Sequence, residues 1–197
     1  MKKEQLHELL YQALETEIGG MAVYETALRC VVNDELREEW QEYLDQTSSH
    51  AAIMRNVFEQ LGLDASADTA GRQVVRHIGE SLVAAMEMAL AAGPPEAAQL
   101  VAGECVVFAE TKDHLNWELM GTAAEKAPKA VATILEDACA EVEDQEDEHL
   151  YHSTGWTREL WMESLGLPAV LPPPEEQKHV KTAIGAARAK GARASMA

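Results

Sequence analysis

The sequence has few aromatic residues, few cysteines and little positive charge. Aromatics make up 5% of its 197 residues. Runs of β-branched or aromatic residues with period two are absent, which argues against a core built from sheets. The three cysteines, Cys30, Cys105 and Cys139, are odd in number and contain no CxxC pair. That argues against a disulfide framework, rules out a four-cysteine metal site within one chain, and makes a reducing cytoplasm the expected compartment. No apolar run approaches the roughly 18 residues needed to cross a bilayer. The opening segment, MKKEQLHELL, is charged and amphipathic, unlike a secretory leader. Lys and Arg number 16 against 34 Asp and Glu, a net charge of −18. Such a surface repels phosphate backbones and anionic lipid heads, so neither nucleic acid nor a membrane is an expected partner. Phosphate-cradling glycine loops and nucleophilic triads are also missing.

What is present is helical. Hydrophobic residues make up 47% of the chain, enough for the core of one domain, and Ala, Leu, Glu, Gln and Met are good helix formers. The pattern predicts helix A over Lys3–Val32 and helix B over Asp34–Leu61, with Asp34 as cap. A crossover helix follows over 71–92, then helix C over Pro95–Gly121. Helix D runs from Pro128 to Ser153, and a short helix covers Trp156–Leu165. The expected fold class is all-α, with a helical bundle over residues 1–167. Residues 168–197 read as a Pro-rich linker and a basic, mobile tail. From Gln177 to Ala197 there are five Lys or Arg and no acid, which leaves −23 on residues 1–176.

Wound at 100° per residue, each long helix carries a polar interruption in its apolar stripe. Helix A aligns Leu6, Leu10, Ala13, Met21, Tyr24, Leu28 and Val31, with Glu17 at the centre. Helix B aligns Leu36, Tyr43, Met54, Val57 and Leu61, with His50 on the stripe and Thr47 beside it. Helix C aligns Leu100, Val101, Val107, Phe108, Leu115 and Leu119, with Glu104 central. Helix D aligns Val131, Leu135, Ala138 and Val142, and continues through Glu146 and His149. Measured from the turns, Glu17 and His50 fall at one height, and so do Glu104 and Glu146. Carboxylates and imidazoles meeting inside an apolar bundle need one another or a metal ion.

Glu17, His50, Glu104 and the pair Glu146-x-x-His149 resemble the ferritin-like superfamily, which includes rubrerythrin. Its members carry a Glu on two helices and Glu-x-x-His on the other two. The resemblance covers roughly residues 3–153. It departs from the pattern at Thr47, where the family has a carboxylate, so that three carboxylates face any metal pair. Such a pair would need hydroxide, water or a neighbouring acid such as Glu110 or Glu143; otherwise a single metal ion is held. The resemblance implies a ferritin-like four-helix bundle with an extra crossover helix and a short C-terminal helix. It also implies one or two iron ions, with manganese second, and redox chemistry with O2 or peroxide. The metal ligands are expected to be Glu17, His50, Glu104, Glu146 and His149. Glu110 and His114 read as an exposed hydrogen-bonded pair, although either could replace a ligand. Tyr24 and Tyr43 are expected near the metals as core packing. Trp117, Trp156, Leu160 and Trp161 concentrate apolar surface near the ends of C and D, which predicts a homo-oligomer, most simply a dimer. The competing reading is a metal-free interaction protein, in which the polar layer fixes helix register.

Overall fold

The computed structural model describes residues 2–197, and every regular element among them is a helix. Five helices are long: α1 (Lys3–Cys30), α2 (Asp34–Leu61), α3 (Ala70–Ala92), α4 (Pro95–Ala124) and α5 (Lys129–Ser164). Two short ones, α6 (Pro174–Gln177) and α7 (Ala183–Ala192), precede a 3-10 turn over Arg193–Ser195. None of these helices is long and apolar enough to cross a membrane. Their ends follow local chemistry. Asn33, not Asp34, caps α2, its side chain accepting from the Leu36 N–H at 3.0 Å. Thr69 caps α3 by accepting from the Arg72 N–H at 3.1 Å. Gly62 closes α2 in the left-handed region, with φ of 67°, a conformation that costs other residues a Cβ clash. Pro95 starts α4, where a missing N–H is no loss.

Helices α1, α2, α5 and α4 pack in that cyclic order into a four-helix bundle, and α3 lies across α1 and α4. Gln99, near the start of α4, accepts the N–H groups of Val32 and Asn33 at 2.7 and 2.8 Å. This fixes the start of α4 against the α1–α2 turn. The α3 helix approaches α1 where Gly19 faces Gly79; a Cβ on Gly79 would stand 3.7 Å from the Gly19 Cα. A buried ion cluster ties the same pair. Glu15 receives Arg72 Nε at 2.5 Å and Arg76 Nε at 2.7 Å, which holds its carboxyl below the usual range despite burial.

Several expectations need correction. On α3 the apolar pattern points to a buried face of Val74, Ile78, Leu82, Ala85 and Ala89. Leu82, Ala85 and Ala89 do pack on the core, but Val74 and Ile78 are 59% and 51% exposed, and Arg72, Val75 and Met86 are the residues buried. The α4 stripe is also rotated. Phe108, Leu115 and Leu119 are exposed, and the face turned inward runs through Ala98, Ala102, Cys105, Val106, Glu110, Asp113, Asn116, Trp117, Met120 and Ala124. Small residues make this interface because they allow close helix approach, so the largest apolar residues pointed the wrong way. Helix D and the short helix after it are one element, α5, unbroken at Gly155.

The segment after Leu167 is not a free tail. Glu175 is buried and receives both guanidinium ends of Arg158, at 2.6 and 2.8 Å. Arg193 donates to the fully buried Glu159 at 2.7 Å. Val170, Val180 and Ala189 are buried as well. Trp117, Trp156 and Leu160 lie inside the protein, whereas Trp161 is exposed, so of the four residues named for self-association one faces solvent.

The apolar interior falls into two blocks. One gathers Tyr24, Leu36, Trp40, Tyr43, Val106, Trp156 and their neighbours. The other gathers Leu10, Leu14, Met54, Phe58, Trp117, Leu135, Val142 and theirs. Along every bundle helix the chain passes from one block to the other through a polar position: Glu17, His50, Glu110 with Asp113, and Glu146 with His149. A buried polar layer thus crosses the middle of the bundle.

Candidate metal centre

Six ionisable side chains form this layer: Glu17 from α1, His50 from α2, Glu110 and Asp113 from α4, and Glu146 and His149 from α5. All six are buried. His50 Nδ1 lies 3.0 Å from Glu146 Oε1 and 3.8 Å from Glu17 Oε2. His149 Nδ1 lies 3.5 Å from Glu110 Oε2 and 3.8 Å from Glu146 Oε1. Two trios result, Glu17–His50–Glu146 and Glu110–Glu146–His149, each with ligand atoms within 4.8 Å of one another. Glu146 belongs to both.

The imidazoles are held by their far nitrogens. Gln145 Oε1 lies 2.7 Å from His50 Nε2, and Gln46 Oε1 lies 2.6 Å from His149 Nε2. An amide oxygen can only accept, so each Nε2 carries the proton and each Nδ1 lone pair faces the carboxylates. A fixed tautomer with its lone pair turned inward is how a metal-binding histidine is prepared. Trp117 Nε1 donates to Glu17 Oε1 at 2.8 Å and leaves Oε2 facing His50.

The inward-facing atoms lack a well-aligned hydrogen-bond partner, although His50 Nδ1 and Glu146 Oε1 stand 3.0 Å apart. Glu17 Oε2, His50 Nδ1, Glu110 Oε2, Asp113 Oδ1, His149 Nδ1 and both Glu146 oxygens are buried and unpaired. Burial pushes the Glu17 carboxyl well above the usual carboxylate range, with neighbouring Asp113 adding to the effect and the Trp117 bond opposing it. Glu146 is raised by burial and then by Glu17 and Glu110. Asp113 is raised by burial and then by Glu146 and Glu110. Burial lowers the His50 imidazole, while its bond to Gln145 opposes that shift. Without a cation, therefore, the layer favours protonated acids and a neutral His50. A pair of divalent cations reverses this preference, because four carboxylates balance two such charges.

Of the residues expected from sequence, the fold brings together Glu17, His50, Glu146 and His149. Glu104 is a correction. It is exposed and accepts from Trp161 Nε1 at 3.1 Å. It sits six residues before Glu110, about 9 Å along a helix. Glu110 takes its place, and is buried rather than exposed as expected. His114 does not pair with Glu110; its Nε2 meets Asp147 Oδ1 at 2.8 Å. Glu143 is exposed. Asp113, Gln46, Gln145 and the Trp117 donor were not foreseen. The i, i+3 spacing of Glu110 and Asp113 was the available signal. Thr47 is buried, and a Cβ on Gly20 would stand 3.3 Å from its methyl group, so α1 and α2 approach closely at this position.

Two tyrosines close the layer on one side. The Tyr43 ring lies 4.1 Å from the His149 ring, and the Tyr24 ring 6.2 Å from it. The Tyr24 hydroxyl is buried and unpaired. The Tyr43 hydroxyl meets Glu39 and, at 3.2 Å, His152 Nδ1.

Comparison of the chain with protein-family models, curated proteins and solved structures found no match. The reading of this centre rests on its own chemistry.

Proposed function

We propose that this protein is a divergent ferritin-like metal protein that holds two iron or manganese ions, with redox chemistry toward O2 or peroxide. One observation carries the proposal: two carboxylate–imidazole trios share Glu146, and both histidines turn an unpartnered Nδ1 inward. The ligands are then Glu17, His50 and Glu146 on one side, and Glu110, Glu146 and His149 on the other, with Asp113 supplying the fourth negative charge. Carboxylate and imidazole donors suit iron and manganese. An iron pair supplies the one-electron chemistry that side chains lack. The chain itself does the rest. Gln46 and Gln145 fix the imidazole tautomers. Trp117 holds Glu17 by one oxygen. Tyr24 and Tyr43 screen the layer from water, and Glu146 gives up its proton when a cation arrives.

The metal-free interaction reading fares worse. A layer built to fix register would satisfy its own polar atoms, whereas this one leaves both oxygens of Glu146 and both inward imidazole nitrogens unpaired.

The test is anaerobic titration of chelator-treated protein with Fe(II), followed by exposure to O2. We expect two ions per chain, oxygen consumption, and a higher melting temperature. Metal at about 100 times its dissociation constant would add roughly 2.7 kcal/mol to the native state. Protein that binds no Fe(II) or Mn(II) overturns the proposal.

A further inference from the structure

A cavity of about 510 Å³ lies between α4 and α5, and the shared ligand Glu146 is part of its wall. Four further acids line it, set among neutral and apolar residues such as Trp117, Cys139 and Tyr151. Glu118 and Glu125 come from the α4 side, and Glu143 and Asp147 from α5. Glu118, Glu125 and Glu143 are exposed. Lys181, from the C-terminal segment, is the lysine of the lining; its ammonium is already committed to Asp144 and Glu148, at 3.2 and 3.1 Å. Glu146 is 1% exposed, and both its oxygens lack a hydrogen-bond partner. The cavity therefore joins solvent-facing carboxylates to a buried, unpartnered carboxylate of the metal centre.

We propose that this cavity is the route by which divalent cations reach the centre, with Glu118 and Glu143 at its mouth and Glu146 at its inner end. The inference rests on the metal-centre reading and adds a path to it. The sign of the charge selects the traveller. An acidic wall repels carboxylate and phosphate compounds, whereas it concentrates small cations and raises their rate of arrival. Carboxylates are also weak, hard ligands, suited to passing an ion inward without trapping it. The neighbouring His114 is engaged by Asp147 at 2.8 Å, which keeps its imidazole from competing for the ion. The C-terminal segment forms part of the wall through Lys181 and Thr182, so its docking on the bundle shapes the route as well as the fold.

The experiment measures loading kinetics of metal-free protein with Co(II), by stopped-flow absorbance at low and high salt. The variant is Glu118→Gln/Glu143→Gln. It removes two charges from the mouth and no ligand. The control is Glu35→Gln/Glu38→Gln, which removes the same charge from exposed positions on α2 that do not line this cavity. We expect the mouth variant to load at least about fivefold more slowly than wild type at low salt, with convergence at high salt. Its final Co(II) content should match wild type, and the control should load at nearly the wild-type rate. Equal rates in wild type and the mouth variant overturn the route and leave the metal centre standing. Equal slowing in both variants also overturns it, since global charge would then explain the effect. Wild type that binds no Co(II) at equilibrium removes the metal centre and the route together.

Discussion

Glu17 is a carboxylate held by a tryptophan in an apolar bundle, and its worth depends on what shares the layer with it. Without metal it is crowded by Asp113 and Glu110 and pushed toward its neutral form. Glu17→Gln keeps an acceptor for Trp117 Nε1 and removes the charge. In chelator the variant should be more stable than wild type, by about 1–4 kcal/mol if the layer behaves like other replaced buried charges. With Fe(II) or Mn(II) the order should invert, since the variant loses a ligand and most of its metal-induced shift. Thermal melts of both proteins, with chelator and with metal, check this. A variant less stable than wild type in chelator would show that Glu17 is a satisfied structural partner. At this scale the sequence was partly legible. Glu17, His50, Glu146 and His149 each interrupt a stripe of Leu, Val, Met or Tyr, and the contrast marks them. Glu110 and Asp113 lie in the polar run Glu110–His114, on a helix whose apolar residues are spread around its circumference, so contrast failed there. Gln46 and Gln145 gave no signal, because a glutamine beside a stripe looks like any solvated side chain.

Helix α5 shows how a glycine can mislead. Gly155-Trp156 reads as the end of one helix and the start of another. The glycine instead sits where the C-terminal segment crosses the helix: a Cβ there would stand 2.6 Å from Glu175 Oε2 and 3.0 Å from Pro173 Cβ. This contact, with the Arg158–Glu175 and Arg193–Glu159 pairs, makes the segment part of the fold. Deleting residues 168–197 removes the Glu175 and Arg193 partners and uncovers Arg158 and Glu159, which still meet each other at 3.0 Å. Losing these contacts together with the burial of Val170 and Val180 should cost about 3 kcal/mol or more, so the melting temperature should fall by about 6–12 °C in a chain of this size. Gly155→Ala separates the glycine's two effects. In the full chain the methyl group meets Glu175, and the variant should lose about 1–3 kcal/mol. In the truncated chain these close contacts are gone, and the better helix former should gain about 1 kcal/mol. Urea unfolding of the four proteins measures both signs. The same sign in both backgrounds would refute the docking geometry. The basic composition of the segment hid all this. Its basic side chains read as solvated, yet Arg193 donates to a fully buried acid.

For the whole molecule, buried acids set the response to pH. Glu17, Asp113 and Glu146 are raised well above their ordinary values of 4.5, 3.8 and 4.5. Burial also pushes Glu176 up to about 8, with Glu39 contributing. A raised carboxyl binds more protons in the folded than in the unfolded chain, so its contribution is complete at low pH and is lost as pH climbs through the folded value. His50, lowered from 6.5, acts in the opposite sense, but only below that value. From about pH 6.5 to about pH 8.5 the metal-free protein should therefore lose stability. The metal-loaded protein should gain relative to it, because loading displaces protons from the same acids. Urea unfolding across this range, with and without metal, tests both slopes; a metal-free curve that rises toward alkaline pH would contradict the buried acids. The bundle was legible in the sequence at this scale, since long periodic helices joined by short turns leave few other arrangements. The seating of α3 and the fold-back of the C-terminal segment were not, because both depend on glycines and on arginine–glutamate pairs that period alone does not reveal. The polar layer also draws on all four bundle helices, from Glu17 near one end of the sequence to His149 near the other. A fragment or a partly synthesised chain contains it only if it spans residues 17–149. A ribosome must release helix α5 before the last two side chains can join the others, and one cut that frees any bundle helix dismantles the whole set. Occupancy of this centre would in that sense certify four intact bundle helices.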